Sequence, residues 1–338
     1  MPSHSDPSPG PPSSVRREGS NAPLVIQTEQ LDAAAALWLG ERCRLEKISY
    51  DAGEPFERGL AEASGLVVRT YTKVDEVLLA KAPKLKVVGR AGVGLDNFDL
   101  SACAKRGVAV VHTPDANTRA VIEYVVSLIC DVVRPRAFLQ DAIEAERWRE
   151  AREELKGRRQ LCEMTLGILG LGRIGQGMAD VGRALGMRVL YHDIAEIPKP
   201  ARHGALSVSR NEMLASADIL TIHVDGRRAN RGLIQASDLA AMKGDATIIN
   251  TSRGFVLDSL ALAEFMIAHP AATALLDVHE PEPFDGTYPL LDIANVHLAP
   301  HIASSTVLAH ANMSWVVRDV WRVLSGEKPE FPARPEPT

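Results

Sequence analysis

The 338-residue sequence predicts an α/β protein of two doubly wound parallel-sheet domains. Three observations lead there. Short apolar runs alternate with helix-length segments, and strands separated by helices pair in parallel. The alternation occurs twice, in one series before Pro114 and in another after it. The length accommodates two domains of ordinary size, each with a large core. No internal repeat is legible beyond this shared rhythm.

In the first series, the strand candidates are LVIQT, RLEKISY, GLVVRT, KVVGRA and VAVVHT. Helical candidates such as QLDAAAALWLG and VDEVLLAKA lie between several of them. The second series opens with two long helices, Thr118–Val133 and Phe138–Leu155. TLGILG, MRVLYH, DILTIHV, ATIINTS, ATALLDV and NVHLAP follow as strands. A last helix, Thr306–Leu324, has helical apolar spacing through Val307, Trp315, Val316 and Val320. Residues 1–22 are rich in proline and serine and predict a disordered tail, as does the proline-rich end at 329–338.

The formal net charge of −5 does not point to a nucleic-acid surface. The basic pairs Arg227-Arg228 and Arg158-Arg159 read as solvated loops. Cys43, Cys103, Cys130 and Cys162 form no CxxC pair, so neither zinc nor a dithiol centre is indicated, and free thiols fit a cytoplasmic protein. No apolar run approaches the ~18 residues of a membrane span. No histidine follows His279-Glu280 at metal spacing, so no metal site is read.

Residues Thr165–Asp193 carry the most information. The strand TLGILG runs into Gly170-x-Gly172-x-x-Gly175, a helix follows, and a second strand ends on Asp193, eighteen residues after Gly175. Gly170 permits the tight turn, Gly172 lets the backbone approach a pyrophosphate, and Gly175 lets helix and strand pack closely. The helix N-terminus offers N–H groups to the phosphates. A carboxylate at Asp193 accepts both ribose hydroxyls of the adenosine half and repels a 2′-phosphate, which favours NAD over NADP. The second series therefore predicts a Rossmann nucleotide-binding domain.

Three strand-end segments follow: INTSRG with Arg253, DVHEPEPF with Asp277 and Glu282, and LAPHIASST with His301. Ligands of open parallel sheets bind beyond the carboxyl ends of strands. Hydride exchange with a hydroxy acid needs a carboxylate anchor, a proton donor and acceptor titrating near neutrality, and fixed donors for the developing oxygen charge. Arg253, His301 and Glu282 supply an anchor, an acid/base and its orienter. Glu282 beside His301 would favour imidazolium.

With these motifs in order, the chain resembles the NAD-dependent D-2-hydroxyacid dehydrogenase family from about Gly65 to Leu324. VVGRAGVGLDN is similar to the 3-phosphoglycerate dehydrogenase branch. The resemblance implies a nucleotide domain at 114–302 inserted into a flavodoxin-like substrate domain made of 23–113 and 303–328. It implies Arg253 as substrate anchor, Glu282 as partner and His301 as acid/base. It places Asp277 near the nicotinamide amide, Thr251 at the nicotinamide-side wall and Arg173-Ile174 on the pyrophosphate. His223, after DILTI, falls on the cofactor side. Arg69, Val93 and Gly94 match substrate-side positions, with backbone N–H groups around Val93 and Gly94 for the carboxylate. Members usually pair as homodimers through the nucleotide domain, and no regulatory domain is expected after the last helix.

Asp225 stands where relatives carry a proline near the adenine ribose, QLCEMTLGI replaces a glycine–lysine approach, and Ser259 replaces an acidic residue. Formate-oxidising relatives carry glutamine at the position of Glu282, and phosphite-oxidising relatives carry lysine at that of Val93; neither occurs here. Hydroxypyruvate, glyoxylate and 3-phosphoglycerate stay open as substrates. Two other readings remain: a corepressor-like module that binds NAD and peptide motifs on the same fold, and a catalytically inert NAD sensor.

Overall fold

The computed structural model describes residues 22–157 and 159–333. The disorder expected of the two tails otherwise lies outside the described residues. In chain order the elements of the first stretch are β1 Leu24–Gln27, α1 Ala33–Gly40, β2 Arg44–Lys47, α2 Glu54–Glu62, β3 Gly65–Val68, α3 Glu76–Ala80, β4 Val87–Arg90, α4 Leu100–Lys105 and β5 Ala109–His112. Then come α5 Thr118–Val133, α6 Ala145–Glu154, β6 Thr165–Leu169, α7 Arg173–Ala184, β7 Arg188–His192, β8 Leu206–Ser207, α8 Arg210–Ser216, β9 Ile219–Ile222, α9 Ala236–Ala240, β10 Thr247–Asn250, α10 Ser259–Ala268, β11 Thr273–Leu276 and β12 Val296–Leu298. The chain ends with α11 Val307–Ser314, α12 Val317–Leu324 and β13 Pro332–Ala333.

The chain divides into two compact units, one of residues up to Ala116 and from His310 onward, the other Asn117–Ala309. The first contains a sheet in the order β13-β5-β4-β3-β1-β2, parallel except for β13. Its parallel strands reverse winding direction between β1 and β3, the flavodoxin-like order. The second contains a parallel sheet in the order β12-β11-β10-β9-β6-β7-β8, which reverses between β6 and β9, as in a Rossmann fold.

Strand pleating explains why the second sheet is covered on both faces. Leu190, Leu220 and Ile248 join one buried cluster, and their strand neighbours Tyr191, Ile219 and Ile249 join the other. Alternate residues point to opposite faces, so strands apolar at every position require helices on both sides. In the first unit, α12 lies on β3, β4 and β5. Its Val316, Val317 and Val320 pack with Val25, Val67, Val87 and Val111. A Cβ on Gly89 would fall 2.5 Å from Val320 Cγ2, so the helix sits where it does because β4 has no side chain there.

Four details differ from the sequence reading. Only Ala145–Glu154 of the expected Phe138–Leu155 helix forms, and it buries no side chain. Phe138 is 85% and Leu139 54% exposed, so among the described residues the start of the expected segment gains little burial to stabilise a longer helix. The expected last helix is two helices. Trp315 and Val316 donate to Asn312 and Met313 in tight i→i+3 bonds, and the Ser314 hydroxyl bonds back to the His310 carbonyl, a contact that bends helices. Residues 329–333 are ordered, not tail: Glu330 and Phe331 N–H groups donate to the buried Asp319 carboxylate, and Pro332–Ala333 pair with β5. The two-residue strand β8 had no pattern long enough to announce it.

Gly89→Ala should lower stability by roughly 1–3 kcal/mol, the usual cost of overpacking. Val320→Ala in the same chain should recover part of that loss in chemical denaturation, whereas no recovery would mean that the two positions do not meet.

Candidate active site

The dinucleotide side is built at the β6–β9 reversal. Gly170 has φ of 92°, a conformation that disfavours side chains. A Cβ on Gly175 would fall 2.2 Å from the Gly170 carbonyl oxygen, so the start of α7 can close on the turn only with glycine. A Cβ on Gly172, by contrast, would meet nothing within 4 Å: that position is open toward a ligand. Gly172 caps α7 without a side-chain hydrogen bond, Arg173 is the first helical residue, and Ile174 packs partly into the core beneath.

Asp193 follows β7. Its Oδ2 accepts from Leu171 N at 2.7 Å and its Oδ1 from Ala195 N at 2.8 Å, so the carboxylate fixes the glycine turn, and each oxygen keeps acceptor capacity for a ribose hydroxyl. Two side-chain atoms test whether a dinucleotide fits. Thr251 Oγ1 and His223 Nδ1 are buried and have no partner among the described residues. Such orphans are rare, and a polar ligand satisfies them. The other ring nitrogen of His223 bonds Thr221 Oγ1 at 2.8 Å, and burial pushes the imidazole down to about 3, so it remains neutral. Open space at Gly172 and polar orphans at Thr251 and His223 therefore fit NAD. Asp225 presents no bare charge. Arg227 grips both of its oxygens and Asn230 Nδ2 donates to one, and the hydrogen bonds from Arg227 hold the carboxyl below its ordinary range.

The three reactive groups stand after β10, β11 and β12, consecutive strands of that sheet. Asn250 shapes the first loop, accepting from Ser252 N and donating to the Arg253 carbonyl at 2.9 Å. The Arg253 guanidinium donates to the Ser252 carbonyl at 2.6 Å. Asp277 is only 1% exposed. Its two oxygens accept from Ile302 N and Ala303 N, each at 2.8 Å, which ties the residues just after His301 to β11. Burial pushes the Asp277 carboxyl up, against those two bonds.

His301 Nδ1 meets Glu282 Oε2 at 2.7 Å. The hydrogen bond to Glu282 raises the imidazole above its ordinary pKa, against burial and the Arg253 charge. Burial pushes Glu282 up, but its bonds to His301 and to His279 N outweigh this and hold the carboxyl below its usual range. The expected triad members Glu282 and His301 are thus in direct contact, with the Arg253 charge near enough to act on His301.

In the first unit, Arg69 follows β3. Its backbone N–H donates to Glu29 at 3.0 Å, and its Nη1 is buried without a partner among the described residues. Burial lowers the guanidinium, which Glu29 partly counters. The loop after β4 holds Val93 and Gly94. Arg90 donates to the Ala91 and Gly94 carbonyls, both at 3.0 Å, His112 Nδ1 bonds the Val93 carbonyl at 3.2 Å, and Thr113 N the Gly92 carbonyl at 3.2 Å. All four carbonyls are engaged. Sequence reasoning missed Arg90, His112 and Asn250, whose only signal was their position at strand ends, and set aside His279, which touches the Glu282 carboxylate through its backbone.

The model of the D-isomer specific 2-hydroxyacid dehydrogenase, NAD binding domain, matches residues 126–303. The chain belongs to this family. It is 36% identical over 300 residues to a glyoxylate reductase of Aeropyrum pernix, covering 84% of this chain and 87% of that protein. It is 34% identical over 270 residues to a D-3-phosphoglycerate dehydrogenase of Archaeoglobus fulgidus, covering 79% of this chain and 50% of that one. The chain thus spans about half the length of the phosphoglycerate dehydrogenases it matches. The crystal structure of the TT0316 protein of Thermus thermophilus superposes with a TM-score of 0.80 at 31% identity, covering 92% of this chain and 99% of that one.

The two pKa directions define a window for the His301–Glu282 pair. The raised His301 stabilises below its unfolded value of about 6.5 and loses this as pH rises through its folded value. The lowered Glu282 stabilises above about 4.3 and loses this as pH falls through its folded value. The pair is therefore strongest between about 4.3 and 6.5. In Glu282→Gln, the His301 imidazole should titrate at lower pH by NMR. An unmoved titration would remove Glu282 as its electrostatic partner.

Proposed function

We propose that this protein is an oxidoreductase that moves a hydride between NAD(H) and C2 of a small D-2-hydroxy acid or its 2-keto acid. The 2.7 Å contact between His301 and Glu282 carries this reading, because it puts an imidazole whose pKa is raised above its ordinary value on the sheet that holds the dinucleotide fingerprint. NAD(H), when bound, would supply the hydride in the reducing direction and accept it in reverse. His301, with Nδ1 held by Glu282, delivers a proton from Nε2 to the carbonyl oxygen and takes it back in oxidation. Arg253 anchors the carboxylate and polarises the keto oxygen. In the first unit, Arg69, whose Nη1 is buried without a partner among the described residues, and the N–H groups of Val93 and Gly94 offer donors for a carboxylate.

Substrates of the glyoxylate, hydroxypyruvate or 3-phosphoglycerate type are supported by what similar proteins are named for. Asp193 favours NAD over NADP by charge. Gly170, Gly172, Arg173, Ile174 and Gly175 hold the pyrophosphate, and His223, Thr251 and Asp277 complete the nicotinamide side. A homodimer formed through the nucleotide unit is supported by Phe138, Leu139 and Trp148, exposed there. Four unpaired cysteines support the cytoplasm. No helix among the described residues is long and apolar enough to cross a membrane.

A screen of glyoxylate, hydroxypyruvate and phosphohydroxypyruvate with NADH and with NADPH should reveal turnover that prefers NADH. Arg253→Lys keeps the charge but loses the fork, so it should raise KM for the keto acid and lower kcat while leaving NADH affinity near normal. NADH binding without turnover of any 2-keto acid would leave a binding module on this fold instead.

A further inference from the structure

We infer that His279 is the positioning residue that sets the mutual geometry of Arg253, Glu282 and His301. Its parts reach all three loops. Its backbone lies against the Arg253 loop, where a Cβ on Gly254 would fall 2.0 Å from the His279 carbonyl carbon. Its N–H donates to Glu282 Oε1 at 2.7 Å, which leaves Oε2 for His301. Its ring Nε2 bonds the Ala299 carbonyl at 2.8 Å, the same oxygen that accepts the His301 N–H at 3.0 Å. A carbonyl oxygen has no proton, so Nε2 is the donor and carries the hydrogen.

The ring itself is fixed. His279 is 5% exposed, its edge meets Phe284 at a centroid distance of 4.8 Å, and Tyr288 Oη lies 3.4 Å from Nδ1. Phe284 stacks on Tyr288 at 4.7 Å, so two aromatic rings wedge the imidazole in one orientation. A buried histidine with a hydrophobic wall and one strong hydrogen bond is usually a core residue. Here that bond ends on the peptide that also holds His301, while the backbone of the same residue holds His301's carboxylate partner. Moving the His279 ring therefore changes the separation of an acid/base pair as well as local packing. The charged and titratable groups facing His301 are Glu282, Arg253 and Asp277, and all three stand on loops that His279 belongs to or touches. This role rests on the acid/base reading of His301.

The test compares His279→Phe, which keeps the ring but loses the bond to Ala299, with His279→Gln, whose amide still reaches that carbonyl. In the Phe variant, kcat for the best 2-keto acid should fall about tenfold, the scale of one lost buried hydrogen bond, with NADH affinity unchanged. The basic limb of its pH profile for keto-acid reduction should move to lower pH, and the His301 imidazole should titrate lower by NMR. The Gln variant should stay near the parent in all three. If the Phe variant does not fold, His279→Asn replaces it, because its side chain is polar but too short to reach Ala299. Parent-like His301 titration and pH limb in the Phe or Asn variant would overturn the inference, even with a lower melting temperature. Should no form of the protein turn over a 2-keto acid, the functional reading fails, and the NMR titration still decides the role of His279.

Discussion

An imidazole that must hold a proton near neutral pH needs a fixed negative neighbour. In this chain the neighbour comes from a different loop. Glu282 follows β11 and His301 follows β12, and their contact at 2.7 Å exists only if two strand-end loops are held in register. That requirement accounts for much of the local construction. Asp277, the first residue after β11, spends its buried carboxylate on the two N–H groups that follow His301. The Ala299 carbonyl is gripped by the His279 ring, and the His279 N–H grips Glu282. Each bond is ordinary, worth about 1 kcal/mol net, or somewhat more where one partner is charged. Their value to function lies in placing one oxygen beside one nitrogen.

The same logic governs the dinucleotide side, with sterics in place of charge. Gly170 and Gly175 bring helix and turn into contact that a methyl group would prevent, and Asp193 pins the turn from the neighbouring strand. Of the three fingerprint glycines, Gly172 alone faces open space. The Rossmann sheet brings both halves to the same edge, since ligands meet the carboxyl ends of parallel strands. Asp225 adds a negative charge near that edge, but the paired Arg227 guanidinium cancels it locally. The departure from the family pattern is thus a self-contained ion pair, largely exposed and of modest energetic weight.

Much of this was legible in the sequence, for physical reasons that differ by element. Long apolar strands such as TLGIL and TIIN announce themselves because both faces are buried. The glycine fingerprint is legible because its spacing has steric causes. Glu282 and His301 were legible as chemistry at strand ends. What escaped depended on tertiary contact. The helix expected from Phe138 shortened because, among the described residues, little covers Phe138 and Leu139. The bend at Trp315 follows from a serine back-bond, and β13 exists because the Asp319 carboxylate captures Glu330 and Phe331 N–H groups. Arg90 escaped because an arginine that satisfies backbone carbonyls looks, in sequence, like any surface charge.

His301 is proposed to exchange the proton that accompanies hydride transfer. Steady-state kinetics of His301→Ala with the best 2-keto acid, beside NADH binding by fluorescence, tests it most directly. In that variant kcat should fall at least about a hundredfold, the usual scale for losing a general acid–base group, with NADH binding largely kept. Near-normal kcat in that variant would contradict it.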